Sequence, residues 1–271
     1  LLSGKEMLNA TRVLMKNVQG KSTGPDEFIL NHKDGSKVQV EISTHPVKIK
    51  NKRVVLGIAR DITKRKQAEK TLIKLSTAVE QSPSVIAITD LDGVLEYVNP
   101  KFTELTGYTF KDVIGKKSSL LKSGEQPIKF YKELWTTVKA GKEWHGEFHN
   151  MKKKGDLFWE SASISPVFNK EGNKTNYIKV AEDITERKRV EQLQKVLFNI
   201  SHAVNTTDSL ENLINKIKEE LGTIIDTNNF YVALYDRNSD TLSFPYYSDE
   251  KDKFTTAPAG STLTKYVIET K

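Results

Sequence analysis

Residues 61–69 read DITKRKQAE, and residues 183–191 read DITERKRVE. The two phrases lie 122 positions apart. Upstream, KDGSKVQVEISTHPV at 33–47 answers KKGDLFWESASISPV at 153–167 at a spacing of 120. The two-residue difference falls in the turn after Pro46 and Pro166, where a change of length is tolerated. Two ordered blocks at nearly one spacing mark a domain-scale duplication.

Each copy has the same local pattern. A helix is expected at 6–19 and again at 128–140, with Leu14 and Val18 answered by Leu134 and Val138. A hairpin turn follows at Asp34-Gly35 and Lys154-Gly155. In 38–42, Val38, Val40 and Ile42 alternate with Gln39 and Glu41, the period of a sheet with one buried face. A last strand, 53–60 or 176–182, runs into Asp-Ile-Thr. The second copy adds a hairpin, VIAITD at 85–90 and VLEYVN at 94–99, turning at Leu91-Asp92-Gly93. Short helices broken by Gly107 are expected over 99–115. The first copy begins at its long helix and the chain has no initiator methionine, so a clipped front is expected.

The series of hairpin, NPKFTELTGY, GKKSSLLKSG, KELW, GEFHN, KKGDLFWE, ISPV and AEDITERK resembles the PAS fold with its carboxy-terminal PAC motif. The resemblance covers about 80–190 in full and 1–70 in part. It implies a five-stranded antiparallel sheet with helices on one face, enclosing a ligand-sized cavity. Residues 191–271 are a third region. Helices at about 187–205 and 207–226 precede strands NFYVALYD at 229–236 and TLSFPYY at 241–247, with a helix beginning near Ser261. FYVALYD, SFPYYSDE and LTKYVIET are similar to GAF domains of bacterial sensor kinases. The expected class is α+β: a partial PAS at 1–66, a complete PAS at 81–186, helical coiled-coil linkers at 67–80 and 187–206, and part of a GAF α/β sandwich at 207–271. A two-stranded GAF sheet would be marginal alone.

The linkers carry regular apolar spacing. Ala68, Leu72, Leu75 and Val79 are spaced 4, 3, 4, and Val190, Leu193, Leu197, Ile200 and Val204 are spaced 3, 4, 3, 4. This is either a heptad seam joining a parallel homodimer or the inner face of a helix lying on its own domain. Thr63 and Thr185 stand where an N-cap belongs, and Asp61 and Asp183 just before it, where negative charge is favoured. These four are the expected signal-relay residues.

Composition removes several chemistries. There is no cysteine, so disulfides, thiolate metal sites and cysteine nucleophiles are excluded. The net charge is +7, of which residues 191–271 contribute −4 and the first 190 residues +11. The lysines are scattered through turns and helix faces, as at 152–154, and no helix-turn-helix accompanies them, so no nucleic-acid partner is expected. No apolar run reaches bilayer length, a membrane anchor can lie outside this stretch, and the absence of cysteine fits a cytoplasmic location. Nucleophile elbow, P-loop, HExxH and GxGxxG are all missing. His145 and His149 fall on a strand, roughly 13 Å apart, too far to share an ion. FNISHAVN at 198–205 resembles a histidine-kinase phosphoacceptor box but lacks the acidic residue after His202 and the Arg-Thr-Pro that usually follow. The fragment is therefore expected to sense rather than catalyse, upstream of an output domain in cis such as a histidine kinase or diguanylate cyclase.

Alignment of the copies exposes a candidate site. Asn150 replaces Leu30, Glu160 replaces Val40, Trp144 replaces Gly24 and Trp135 replaces Met15. Polar groups and large rings stand where the first copy has plain packing, and a buried polar group needs a partner. LLKSGEQP, FYKELW, GKEWHGEFHN and KKGDLFWE are similar to flavin-binding PAS domains of bacterial redox sensors that control nitrogen fixation and methane oxidation. That resemblance implies FAD, with Trp135 and Trp144 as walls and Asn150 and Glu160 at the ring edge. Light-sensing relatives need a cysteine adduct, which this chain cannot form. Two alternatives stay open: another ligand such as haem, or no ligand, with the tryptophans as core and the polar pair bonded to backbone or water.

Overall fold

The computed structural model describes residues 4–32, 34–50, 52–248, 255–260 and 262–270. The chain divides into two units, Leu1–Ile86 with Val98–Glu104, and Ala87–Tyr97 with Leu105–Lys271. The first copy comprises α1 (Gly4–Val18), β1 (Thr23–Asn31), β2 (Lys37–Ile49) and β3 (Lys52–Asp61), followed by α2 (Thr63–Glu80). Its three strands form an antiparallel sheet in the order β1-β2-β3. A groove of about 200 Å³ between α1 and this sheet is lined mainly by Val13, Leu14, Phe28, Ile42 and Val55.

The second copy comprises β4 (Val85–Thr89), β5 (Leu95–Val98), α3 (Pro100–Thr106), α4 (Phe110–Val113), a 3₁₀ turn at Ser118–Leu121, α5 (Ile128–Lys139), β6 (Trp144–Met151), β7 (Leu157–Phe168) and β8 (Lys174–Asp183). Its sheet has five strands in the order β5-β4-β8-β7-β6. The extra hairpin read from the sequence therefore sits beside β8, the counterpart of β3. Registers agree between the copies: Phe28, Val40 and Asp61 are cross-strand partners, as are Phe148, Glu160 and Asp183. Gly35 and Gly155 hold positive φ in the matching hairpin turns, a conformation that favours glycine. The core of this sheet includes Leu95, Val113, Val138 and Phe158. Leu134 is buried there, whereas its counterpart Leu14 is exposed on α1, which has three strands to lie on.

Local chemistry sets the short elements. α4 is only four residues long and is held by a capping box: Thr109 N and Oγ1 both donate to Asp112 Oδ2 at 2.9 Å. Asn99 is buried and fully used. Its Nδ2 donates to the carbonyls of Val79 and Ser84, and its Oδ1 accepts from the amides of Ile86 and Phe102.

The carboxy-terminal region follows as α6 (Thr185–Thr206), α7 (Leu210–Leu221), β9 (Phe230–Asp236), β10 (Thr241–Ser248), β11 (Thr256–Pro258) and α8 (Leu263–Glu269). The expected two strands are three, in the order β11-β10-β9. α7 ends at Leu221 rather than near 226, where the bonding tightens to three-residue turns, Thr223 N donating to Glu220 O and Ile224 N to Leu221 O. Ser261, where a helix was expected to begin, lies outside the described residues. Among the described residues no helix is long and apolar enough to cross a membrane.

Candidate functional site

Successive strand residues point to opposite faces. On β6, Trp144, Phe148 and Asn150 are buried in turn. On β7, Phe158, Glu160 and Ala162 are buried in turn. Three of the four expected binding residues thus share one inward face. Glu160 is 1% exposed and Asn150 4%. Asn150 Nδ2 donates to Glu160 Oε1 at 2.7 Å. Lys179 Nζ, from β8, donates to the same oxygen. Among the described residues no group donates to Glu160 Oε2 or to Asn150 Oδ1.

Aromatic rings lie next to this cluster. Lys179 Nζ is 4.8 Å from the centroid of Phe148. Phe148 is 5.2 Å from Trp144, and Phe130 is 5.2 Å from both. A Cβ built on Gly146 would overlap the Trp144 indole, so that glycine makes room for the ring. Trp135 is placed differently. It forms an edge contact with Tyr177 at 5.8 Å and lies against Gly93, where a Cβ would come within 3.0 Å of its ring. The structure brings Asn150, Glu160 and, through Phe148, Trp144 together, while Trp135 belongs to a separate ring pair. Lys179 was missed by the sequence reading. The signal was present, because the residue 122 positions earlier is Gly57.

The four relay residues sit where strand becomes helix, with one correction. The N-cap positions are Ile62 and Ile184, not Thr63 and Thr185. The reason is competition for the threonines. Asp61 Oδ1 accepts from the Thr63 amide at 2.8 Å, and Asp183 Oδ1 from the Thr185 amide at 2.9 Å. The hydroxyls face the sheet instead: Gln39 N donates to Thr63 Oγ1 and Trp159 N to Thr185 Oγ1, each at 3.0 Å. Each threonine therefore joins the start of its helix to the strand next to the one it leaves, β2 beside β3 and β7 beside β8, with a buried isoleucine before it. The hydrogen bonds from Thr63 hold the Asp61 carboxyl below its ordinary range. His149 bonds to Glu125, and His145 lies beside Glu143.

A family model of the PAS domain matches residues 4–64 and 83–186. The chain belongs to the PAS domain family. It is 30% identical over 146 residues to the nitrogen fixation regulatory protein of Klebsiella oxytoca, covering 51% of this chain and 30% of that protein. It is 28% identical over 173 residues to the oxygen sensor protein DosP of Escherichia coli (62% of this chain, 21% of that protein). It is 27% identical over 124 residues to the aerotaxis receptor of the same species (45% and 24%). The PAS chain thus spans less than a third of each of these relatives. A crystal structure of a PAS domain from Colwellia psychrerythraea aligns with a TM-score of 0.41 at 22% identity, over 43% of this chain and 98% of that one.

Proposed function

We propose that this PAS chain is the sensory input region of a signal-transduction protein, with the second PAS domain as the sensor and FAD as its redox cofactor. The names of the relatives, a nitrogen fixation regulator, an aerotaxis receptor and an oxygen sensor, support a signal-sensing role. The observation that carries the reading is a pair of acceptors, Glu160 Oε2 and Asn150 Oδ1, to which no group among the described residues donates, on side chains over nine-tenths buried. Buried acceptors call for a donor. An N–H at the edge of a flavin ring supplies one, and Trp144 and Phe148 offer apolar surface beside it. When bound, a flavin contributes reversible electron uptake. In the first copy Leu30, Val40 and Gly57 occupy these places, so that copy is read as a coupler.

The signal would leave through α6 toward residues 207–271, read as the amino-terminal part of a GAF domain, and then to an output domain in cis. The chain is read as a parallel homodimer through α2 and α6. α2 has no buried residue and exposes Leu72 and Leu75. α6 exposes Val190, Leu193, Leu197 and Val204.

Purified chain mixed with FAD and passed over a gel-filtration column is expected to keep the flavin's visible band. N150L/E160V is expected to lose it. Wild-type protein that retains no flavin would end the reading. A second reading is a ligand-free dimerisation and spacer array. It is favoured by the bonds that Asn150 and Lys179 already make to Glu160, which leave that carboxylate paired without a ligand.

A further inference from the structure

The starts of α2 and α6 carry the same ionic arrangement twice. In the first copy Lys66 Nζ lies 2.7 Å from Glu27 on β1, and Arg65 lies 3.7 Å from Glu27 and 3.2 Å from Glu41 on β2. In the second, Lys188 Nζ is 2.6 Å from Glu147 Oε2 and Arg187 Nη2 is 2.9 Å from Glu147 Oε1. Glu147 on β6 thus holds two consecutive basic residues of the helix, one on each oxygen. The Glu147 carboxylate keeps the Lys188 ammonium above its ordinary range, first by hydrogen bond and then by charge, as Glu27 does for Lys66.

The second copy adds aromatic contacts that the first lacks. Lys188 Nζ lies 5.4 Å from the centroid of Trp159, a cation over a ring. Trp159 stacks on His149 at 4.3 Å with the planes 9° apart. The first copy has Gln39 and Ile29 at these positions. His149 adjoins Asn150 and Trp159 adjoins Glu160, so the outward stack is mounted on the same two strands as the inward polar pair, one residue away.

We propose that Glu147 and Trp159 are positioning residues that clamp the first turns of α6 onto the sheet, and that the Trp159 contact ties this clamp to the strands bearing Asn150 and Glu160. The signalling meaning rests on the sensory reading above; the clamp itself does not.

Hydrogen exchange on the full chain tests it, read at the α6 amides from Lys188 to Leu193. Lys188 N, which donates to Ile184 O at 2.9 Å, is the first of them. Glu147→Gln is expected to raise exchange there about three- to tenfold, the worth of two partly exposed ion pairs. Trp159→Gln, which installs the first copy's residue, is expected to act in the same direction. Amides of β7 and β8 should stay within about twofold of wild type. Unchanged exchange in α6, or an equal rise in the strands, overturns the proposal. A check that needs no variant is to take wild-type protein from about 0.01 M to about 1 M salt, shrinking the screening length from about 30 Å to about 3 Å. Exchange at the α6 start should rise selectively, and insensitivity to salt also overturns the clamp. A chain that shows this pattern yet binds no flavin would fail the sensory reading and keep the clamp.

Discussion

A carboxylate at 1% exposure persists in a sheet only when something compensates the lost hydration, and for Glu160 that is Lys179 with Asn150. Breaking such a pair on one side costs about 3–5 kcal/mol, while replacing the whole group with apolar residues is often neutral or stabilising. Lys179→Met is therefore expected to lower stability toward the lower end of that range, because Lys179 keeps 18% of its side chain in solvent. N150L/E160V/K179M should stay within about 1 kcal/mol of wild type or exceed it. Urea unfolding followed by tryptophan fluorescence decides, since Trp135, Trp144 and Trp159 are the chain's three tryptophans and all belong to the second PAS domain. Equal losses in both variants would mean that Lys179 does not compensate the buried Glu160 charge. Asn150 and Glu160 were legible from the internal alignment because they interrupt an apolar pattern. Lys179 stands against Gly57 in the same alignment but was passed over, because a lone lysine in a strand reads as surface; the register shows its ammonium reaching an inward carboxylate.

Elements differ in how much they owe to their own sequence. α4 depends on its cap. Lys153, bonded at 2.7 Å, and then Thr109 hold the Asp112 carboxyl below its ordinary range. A depressed folded-state value gives stability that is present above the unfolded value of about 3.9 and lost as pH falls through the folded one. Asp112→Asn should accordingly flatten the acid limb of a stability–pH curve. An unchanged limb would remove Asp112 from the account. α6 carries two stripes. Gln192, Val196, Asn199 and Ala203 form the one turned to α7: Gln192 donates to the Thr223 carbonyl, Asn199 to Glu220, and Val196 and Ala203 are buried. The seam read from the sequence is the other stripe. Heptad spacing was visible, but period alone does not say which stripe a neighbouring helix takes. L193K/L197K should convert the proposed dimer to monomer in light scattering, whereas Val196→Asp should loosen α7 and leave association intact. A wild-type monomer at tens of micromolar would exclude the paired seam. β11 escaped the reading because Thr-Ala-Pro is too short to show alternation.

For the molecule as a whole, the duplication was the most legible feature, because a repeat needs no propensity scale: the two registers match pair for pair except at the shifts near Thr23/Asp26 in one copy and Val167/Phe168 in the other. The difference in their support was less visible. The first copy's sheet has three strands, with every residue of β3 exposed, and the second has five. Amides bonded across β2–β3 are expected to exchange at least about tenfold faster than those across β7–β8, since local openings scale with the cover a strand receives. Equal protection would contradict this. The distribution of charge, by contrast, was plain from the start and gave no function on its own.

In the order β1-β2-β3, β3 is an edge strand of its sheet in this chain. An edge strand exposing Val54, Val55, Leu56 and Ile58 is a template on which a foreign strand can add, the first step of aggregation. Lys52, Arg53 and Arg60 stand at its two ends, and flanking basic residues of this kind act as gatekeepers that keep like-charged copies apart. In colloidal terms, the positive surplus of the first 190 residues contributes to solubility, and neutralising those three residues should show as turbidity before any change in ligand binding.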